Sequence, residues 1–252
     1  MTNIVVLGDG LLARSIQDTF NKAPGLNGLS ILGHDSFDIR DHDSIVLAFR
    51  NNRPDVVINT VALHSLARCE ANSDLAFDVN ARGAERVASL APTVYVSTDY
   101  VFGDGGPHDE CMPGRQPRSV YGRSKLAGEL ATLEQGGIVV RVAGLYGHHL
   151  SHKGPTFPEM MLSGWGPIEL PVDQVFSPTY APDAAGRIVA LALALPSKTF
   201  DLGELKGLTA TYTPEVPTGI YHAANAGSVS WAVFGQEIID LARHRRKIKS
   251  VA

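Results

Sequence analysis

Ile4-Val5-Val6-Leu7-Gly8-Asp9-Gly10-Leu11-Leu12-Ala13 decides the fold of this chain. Four consecutive apolar residues read as a strand buried on both faces, and the G-x-G-x-x-A spacing then leads straight into an amphipathic helix at Leu11–Phe20. Gly8 permits a tight turn, Gly10 leaves room for a phosphate at the helix N-terminus, and Ala13 lets the helix pack closely on the sheet. A structural turn without a ligand uses similar residues, so the surrounding pattern matters.

That pattern repeats outward. Ser30–Leu32, Val56–Val61, Val94–Ser97 and Ile138–Val142 read as further buried strands. Asp43–Asn51, Asp74–Leu90 and Val120–Glu134 place apolar residues at helical spacing, with Asp41, Ser73 or Asn72, and Ser119 as N-caps. Five βα units in a row predict an α/β fold, a Rossmann-type doubly wound parallel sheet with helices on both faces. After residue 150 the rhythm changes, because Pro155, Pro158, Pro167, Pro171, Pro178 and Pro182 break the chain into irregular loops. A helix at Asp183–Leu195 and a strand-helix pair at Gly219–Ala223 and Ser230–Arg243 follow. The expected organisation is a dinucleotide-binding Rossmann domain over 1–150 and a smaller substrate lobe over 151–252, interleaved with the core.

Composition excludes other classes. The 252 residues are 44% hydrophobic, 19% charged and 7% aromatic, with a net charge of −4. Such a chain buries roughly 70–75% of its unfolded surface without metal or disulfide staples. No basic field exists for nucleic acid or an anionic membrane, and small-molecule chemistry is expected. The longest apolar run, Ile188 to Leu195, falls far short of the about 20 residues a bilayer needs. Cys69 and Cys111 form no CxxC pair, which suits a reducing compartment. With no basic, apolar leader before Ile4, a cytoplasmic location is expected.

Two positions carry chemistry on spacing alone. Tyr121 and Lys125 stand at i, i+4, one helical turn apart on the same face. A phenol titrates near pH 10 in water, so a nearby ammonium is what would bring it into use as a proton donor at neutral pH. Thr98 ends the fourth strand, at the sheet edge where open α/β proteins bind ligands. Asp35, about 20 residues beyond Ala13, and its rival Asp38 are the acids that could accept a bond from an adenosine ribose. An unphosphorylated ribose suits Asp35, whereas Arg14 could meet a 2′-phosphate, so NADH and NADPH both stay open.

Ser97-Thr98-Asp99-Tyr100-Val101-Phe102, Val120-Tyr121-Gly122-Arg123-Ser124-Lys125-Leu126-Ala127-Gly128-Glu129, Asp173-Gln174 with Ser177-Pro178-Thr179, and Gly219-Ile220-Tyr221-His222-Ala223-Ala224-Asn225 ahead of Ser230-Trp231 closely resemble dTDP-4-dehydrorhamnose reductases, extended short-chain dehydrogenase/reductases. The resemblance implies NADPH or NADH as cofactor, a nucleotide-sugar substrate and a Thr98/Tyr121/Lys125 triad. Tyr121 would protonate the sugar's C4 oxygen, Lys125 would hold the nicotinamide ribose and lower the phenol pKa, and Thr98 and Asp99 would meet the substrate. It also implies Gly10, Leu11 and Leu12 on the pyrophosphate, with Gly8 at the turn of the same cofactor site, Asp38 and Ile39 at the adenine side, and Ala62, Leu63, His64 and Val96 along the nicotinamide.

The chain departs from that pattern in places. Its glycine turn is one residue shorter, His64, Leu66 and Ala67 replace residues that tend to be Thr, Val and Asp, and Gly144 stands where an aromatic often covers the sugar. It also ends soon after the Ser230–Arg243 helix, so the expected sugar pocket is either incomplete or closed by a partner, a homodimer among them. These departures sustain a rival expectation, a non-catalytic NAD(P)-binding subunit similar to the regulatory subunit of methionine adenosyltransferase. That protein's Gly-Leu-Leu loop and R-x-x-x-L-Y-G segment look like Gly10-Leu11-Leu12 and 141–147. Other features get structural readings. No carboxylate or Cys set accompanies His148-His149-Leu150-Ser151-His152, so no metal is expected. Cys69 reads as a small filler, Trp165 and Trp231 as packing residues, and the basic tail from Arg243 through Arg245, Arg246, Lys247 and Lys249 as a solvated helix end.

Overall fold

The computed structural model of the protein describes residues 2–23, 28–103, 105–111, 116–149, 155–164, 166–195, 218–243 and 247–251. Residues 150–152, Trp165, Arg245 and Arg246 of the sequence reading lie outside them. In chain order the first half runs β1 (Ile4–Leu7), α1 (Leu11–Lys22), β2 (Leu29–Leu32), α2 (His42–Asn52) and β3 (Val56–Asn59). It continues through α3 (Leu66–Ala71), α4 (Ser73–Phe77), a π-helical turn (Asp78–Arg82), α5 (Gly83–Leu90), β4 (Thr93–Thr98), α6 (Val120–Glu134) and β5 (Ile138–Val142). Then come β6 (Leu145–Tyr146), α7 (Phe157–Leu162), β7 (Ile168–Pro171), β8 (Val175–Phe176), β9 (Thr179–Tyr180) and α8 (Ala181–Ala194). The chain closes with β10 (Gly219–His222), β11 (Val229–Ser230), α9 (Trp231–Leu241) and β12 (Ile248–Val251).

A six-stranded sheet in the order β10-β5-β4-β3-β1-β2 forms the centre, and all its pairings are parallel. Strand geometry alone explains why it needs two cores. Successive side chains of β1 point to opposite faces, so Ile4 and Val6 join Leu12, Ile16 and Phe20 of α1 and Ile188 of α8. Val5 and Leu7 join Ile45 and Phe49 of α2 and Val87 of α5 on the other side. Each of these fully buried apolar side chains contributes up to about 1.5–3 kcal/mol. The doubly wound sheet expected from the βα alternation is therefore present. The chain beyond residue 150 returns to it through α8 and β10, and adds a separate small core of Met161, Leu170, Ala232 and Ile239.

Three local expectations change. β3 stops at Asn59 rather than Val61, because the Asn59 side-chain oxygen accepts the Val61 N–H at 3.0 Å and turns the chain at the sheet edge. The single helix expected over Asp74–Leu90 is broken by the π-helical turn, whose Asn80 side chain bonds outside the helix. Lys249 is no part of a solvated helix end. It sits in β12 beside β7, with its ammonium 2.6 Å from Glu169. Among the described residues, no helix is long and apolar enough to cross a membrane.

Candidate active site

The carboxyl ends of β1, β3 and β4 share one edge of the sheet, and α6 delivers two side chains to it. Two groups start that helix: Ser119 Oγ accepts the Gly122 N–H at 3.0 Å, and Glu70 Oε1 accepts the Val120 N–H at 2.7 Å. Thr98, the last residue of β4, stands beside the Tyr121 hydroxyl from the first turn of α6. Its hydroxyl also donates to Asp99 Oδ1 at 3.1 Å. The Tyr121 ring packs against the small cluster of Cys69, Ala76 and Val120 and meets Tyr100 edge-on at 5.7 Å. Cys69 is accordingly buried filler, as expected.

Burial raises the Tyr121 phenol above its ordinary pKa, Thr98 partly offsets this, and the neighbouring Asp99 carboxylate adds to it. The phenol is thus fully protonated at neutral pH. Lys125 is also buried, and burial lowers its amine to about 7 against the opposing pull of Glu129. Its Nζ donates to the Val96 carbonyl at 2.6 Å and lies 3.9 Å from the Tyr95 ring centroid. The expectation that Lys125 lowers the Tyr121 pKa is corrected here. Desolvation dominates the phenol, and the amine is turned to Val96 instead.

This amine ties stability to pH. In the folded chain it releases its proton near pH 7, whereas in the unfolded chain it holds it to the ordinary lysine value of 10.5. Between those limits the unfolded state binds more protons, so rising pH favours the folded state, by up to about 1.4 kcal/mol per unit. Below that window both states are charged and the cost of burying the charge is fully present. Urea unfolding of wild type and Lys125→Met, near pH 7 and near pH 9, is expected to show stability rising with pH more steeply in the wild type; parallel slopes would contradict the assignment.

The turn after β1 supplies the second half of the site. Gly8 has φ +102°, and a Cβ there would sit 2.5 Å from Thr60 Oγ1, which explains the glycine on both conformational and spatial grounds. A Cβ at Gly10 meets nothing within 4 Å. α1 begins at Gly10 without a side-chain cap, whereas α2, α6 and α9 are capped by Asp41, Ser119 and Ser230. Its first-turn N–H groups can therefore receive an anion. Leu11 is half-buried and faces Gly147, and Leu12 lies in the core.

The remaining expected cofactor residues divide. Asp35 is exposed, three residues past the end of β2. Asp38 is held by Arg40 at 2.6 Å, which pulls its carboxyl down to about 2. The Ile39 side chain is buried and lies where a Cβ on Gly83 would touch it, so only its backbone is left for an adenine. Ala62, Leu63 and His64 follow β3, where His64 is exposed and the Leu63 peptide is clamped. Asn80 Oδ1 accepts the Leu63 N–H at 2.8 Å, and Asn80 Nδ2 donates to the Leu63 carbonyl at 3.0 Å and to Ser124 Oγ at 2.9 Å.

Asn80 thereby links the π-helical turn, the segment after β3 and α6, a part that the sequence reading omits. A polar residue in the inward stripe Ala76-Asn80-Ala84 was the available signal. Glu129 and Arg141 were also missed. They form a two-pronged ion pair at 2.7 and 2.9 Å, with side chains 1% and 3% exposed, and Ser97 Oγ donates to the same carboxylate. The signals were the i, i+4 spacing of Glu129 from Lys125 and a charge inside the strand Ile138–Val142. Gly144, φ +42°, stands open to the Phe176 ring, which stacks on Trp231 at 3.9 Å. Phe176 of β8 thus fills the space that a side chain at position 144 would need, and Trp231 packs as expected.

The family model described as "RmlD substrate binding domain" matches residues 1–252. A dTDP-4-dehydrorhamnose reductase of Streptomyces griseus is 32% identical, with 94% of this chain and 75% of that protein covered. A probable dTDP-4,6-dihydroxy-2-methyloxan-3-one 4-ketoreductase of Streptomyces antibioticus is 33% identical over 84% of this chain and 68% of its own length. Among solved structures, the dTDP-4-dehydrorhamnose reductase of Bacillus anthracis in complex with NADP superposes with a TM-score of 0.83 at 28% identity, covering 100% of this chain and 85% of that one.

Proposed function

The chain belongs to the RmlD substrate binding domain family of dTDP-4-dehydrorhamnose reductases, and from that membership we propose that it is an NADPH-dependent reductase of a dTDP-linked 4-keto-6-deoxy sugar. The single observation that carries the reading is the Thr98–Tyr121 contact at the carboxyl edge of the sheet, with the buried Lys125 one turn further along α6. The residues also fit the cofactor. Gly10 leaves an open cradle for the pyrophosphate before an uncapped helix.

NADPH, when bound there, supplies the hydride. The chain supplies the rest. Tyr121, kept protonated by burial, is the donor to the C4 oxygen, and Thr98 orients that oxygen with a second hydrogen bond. Lys125, balanced near neutrality, is the group that holds the cofactor ribose and can replace the proton Tyr121 gives up. Asn80 fixes the peptide at Leu63 and the helix at Ser124, which sets where the cofactor and the phenol meet.

Following the absorbance of reduced nicotinamide with dTDP-4-dehydrorhamnose present tests the reading. Oxidation that requires both sugar and protein is expected. Tight NADPH binding with no oxidation would support the regulatory-subunit alternative instead. A second prediction isolates the cradle. Because nothing lies within 4 Å of a Cβ at position 10, Gly10→Val is expected to fold normally while filling only ligand space. Its NADPH affinity in calorimetric titration is expected to fall at least about tenfold, or about 1.4 kcal/mol; unchanged affinity would remove the pyrophosphate from this turn.

A further inference from the structure

Asp18 on α1 receives two histidines from a segment 131 positions away in the sequence. Its Oδ2 lies 2.7 Å from His149 Nε2 and 3.6 Å from His148 Nε2. All three donor atoms fall within 4.8 Å of one another. The carboxylate that seemed absent from the linear sequence is thus supplied by the fold. We propose that Asp18, His148 and His149 form a binding site for a divalent transition-metal ion, Zn2+ in the first instance, that fastens the segment after β6 to α1.

Three observations carry this. First, a tetrahedral ion with bonds of about 2.0–2.1 Å holds its ligands about 3.3 Å apart, and the observed separations bracket that distance. Second, the Tyr180 hydroxyl lies 3.4 Å from His148 Nδ1. Accepting the Nδ1 proton leaves the lone pair on Nε2, the nitrogen facing Asp18, which is how an outer hydrogen bond orients a ligating imidazole. Third, both Nε2 atoms converge on one carboxylate oxygen, an arrangement in which that oxygen binds one histidine well and leaves the other, at 3.6 Å, without a proper bond. An ion among the three satisfies all of them.

Two imidazoles and one carboxylate favour zinc, nickel or copper over magnesium or calcium. Side-chain exposures of 57% for His148 and 39% for Asp18 leave a path from solvent and a coordination position for water. Gly147, directly before the pair, sits against Leu11 in the first turn of α1. The ion therefore acts as a staple between the proposed cofactor helix and the β6 segment. The inference stands independently of the reductase reading.

Titrating Zn2+ alone into the tag-free full chain tests it. Calorimetry is expected to show a single saturable site, with a rise in melting temperature. Asp18→Asn and the double variant His148→Gln, His149→Gln are each expected to weaken binding about 10–100-fold, an effect on the scale seen when the shell around a bound metal is disturbed. In the unaltered protein, Zn2+ is expected to shift the ring resonances of two histidines. No saturable binding, binding that survives in folded variants, or unshifted histidine resonances would each overturn the proposal.

Discussion

Tyr121→Phe is expected to lower turnover by about 10²–10⁴-fold, the range over which a positioned acid contributes. The substitution removes one hydroxyl and little else. The ring keeps its packing on the Cys69, Ala76 and Val120 cluster and its contact with Tyr100, and Thr98 keeps its bond to Asp99. Melting temperature and NADPH affinity should therefore remain near the wild-type values while kcat falls. Lys125→Met differs in kind, because the lost amine is also the proposed ribose ligand, so turnover and cofactor affinity should fall together. Steady-state kinetics beside direct binding measurements separate the two patterns. A phenylalanine variant with wild-type turnover would exclude Tyr121 as the proton donor.

The largest effect on stability is expected at Glu129. Glu129→Leu takes from the buried Arg141 its two-pronged carboxylate and from Ser97 its acceptor. Breaking a buried pair in this way costs about 3–5 kcal/mol. In a chain of this size that lowers the melting temperature by on the order of 10 °C. Glu129 also opposes the burial that lowers the Lys125 pKa, so the variant's lysine should be neutral at lower pH than the wild type's. Adding Arg141→Leu should recover much of the stability, since an apolar pair no longer buries the guanidinium without the Glu129 carboxylate. A single variant within about 1 kcal/mol of wild type would show that the pair contributes far less.

What the sequence disclosed followed from periodicity and spacing. β1, β5 and α6 were read to their observed limits, because both-face burial writes continuous apolar runs and an N-cap such as Ser119 leaves a residue-level mark. Tyr121 and Lys125 were legible as one helical face, and Gly8-Asp9-Gly10 as a strand-to-helix turn. What stayed hidden depends on long-range pairing. Glu129 with Arg141, Asn80 with Leu63, and Asp18 with His149 join residues whose proximity only the sheet order creates. The direction of the Tyr121 shift was hidden for a related reason. Spacing revealed an ammonium near a phenol, whereas desolvation, which outweighs it, depends on the packing of α3 and α6 around the ring.

The central claim is that this edge of the sheet delivers a hydride to C4 of the sugar while Tyr121 delivers the proton. Transfer of an isotopic label tests it most directly. Each of the two forms of NADPH deuterated stereospecifically at the nicotinamide C4 is incubated with the protein and dTDP-4-dehydrorhamnose, and the sugar product is examined by NMR. The account predicts deuterium at sugar C4 from one of the two forms only, and a much slower appearance of label with Tyr121→Phe. Cofactor that binds at the Gly10 turn while no deuterium reaches the sugar from either form would contradict it.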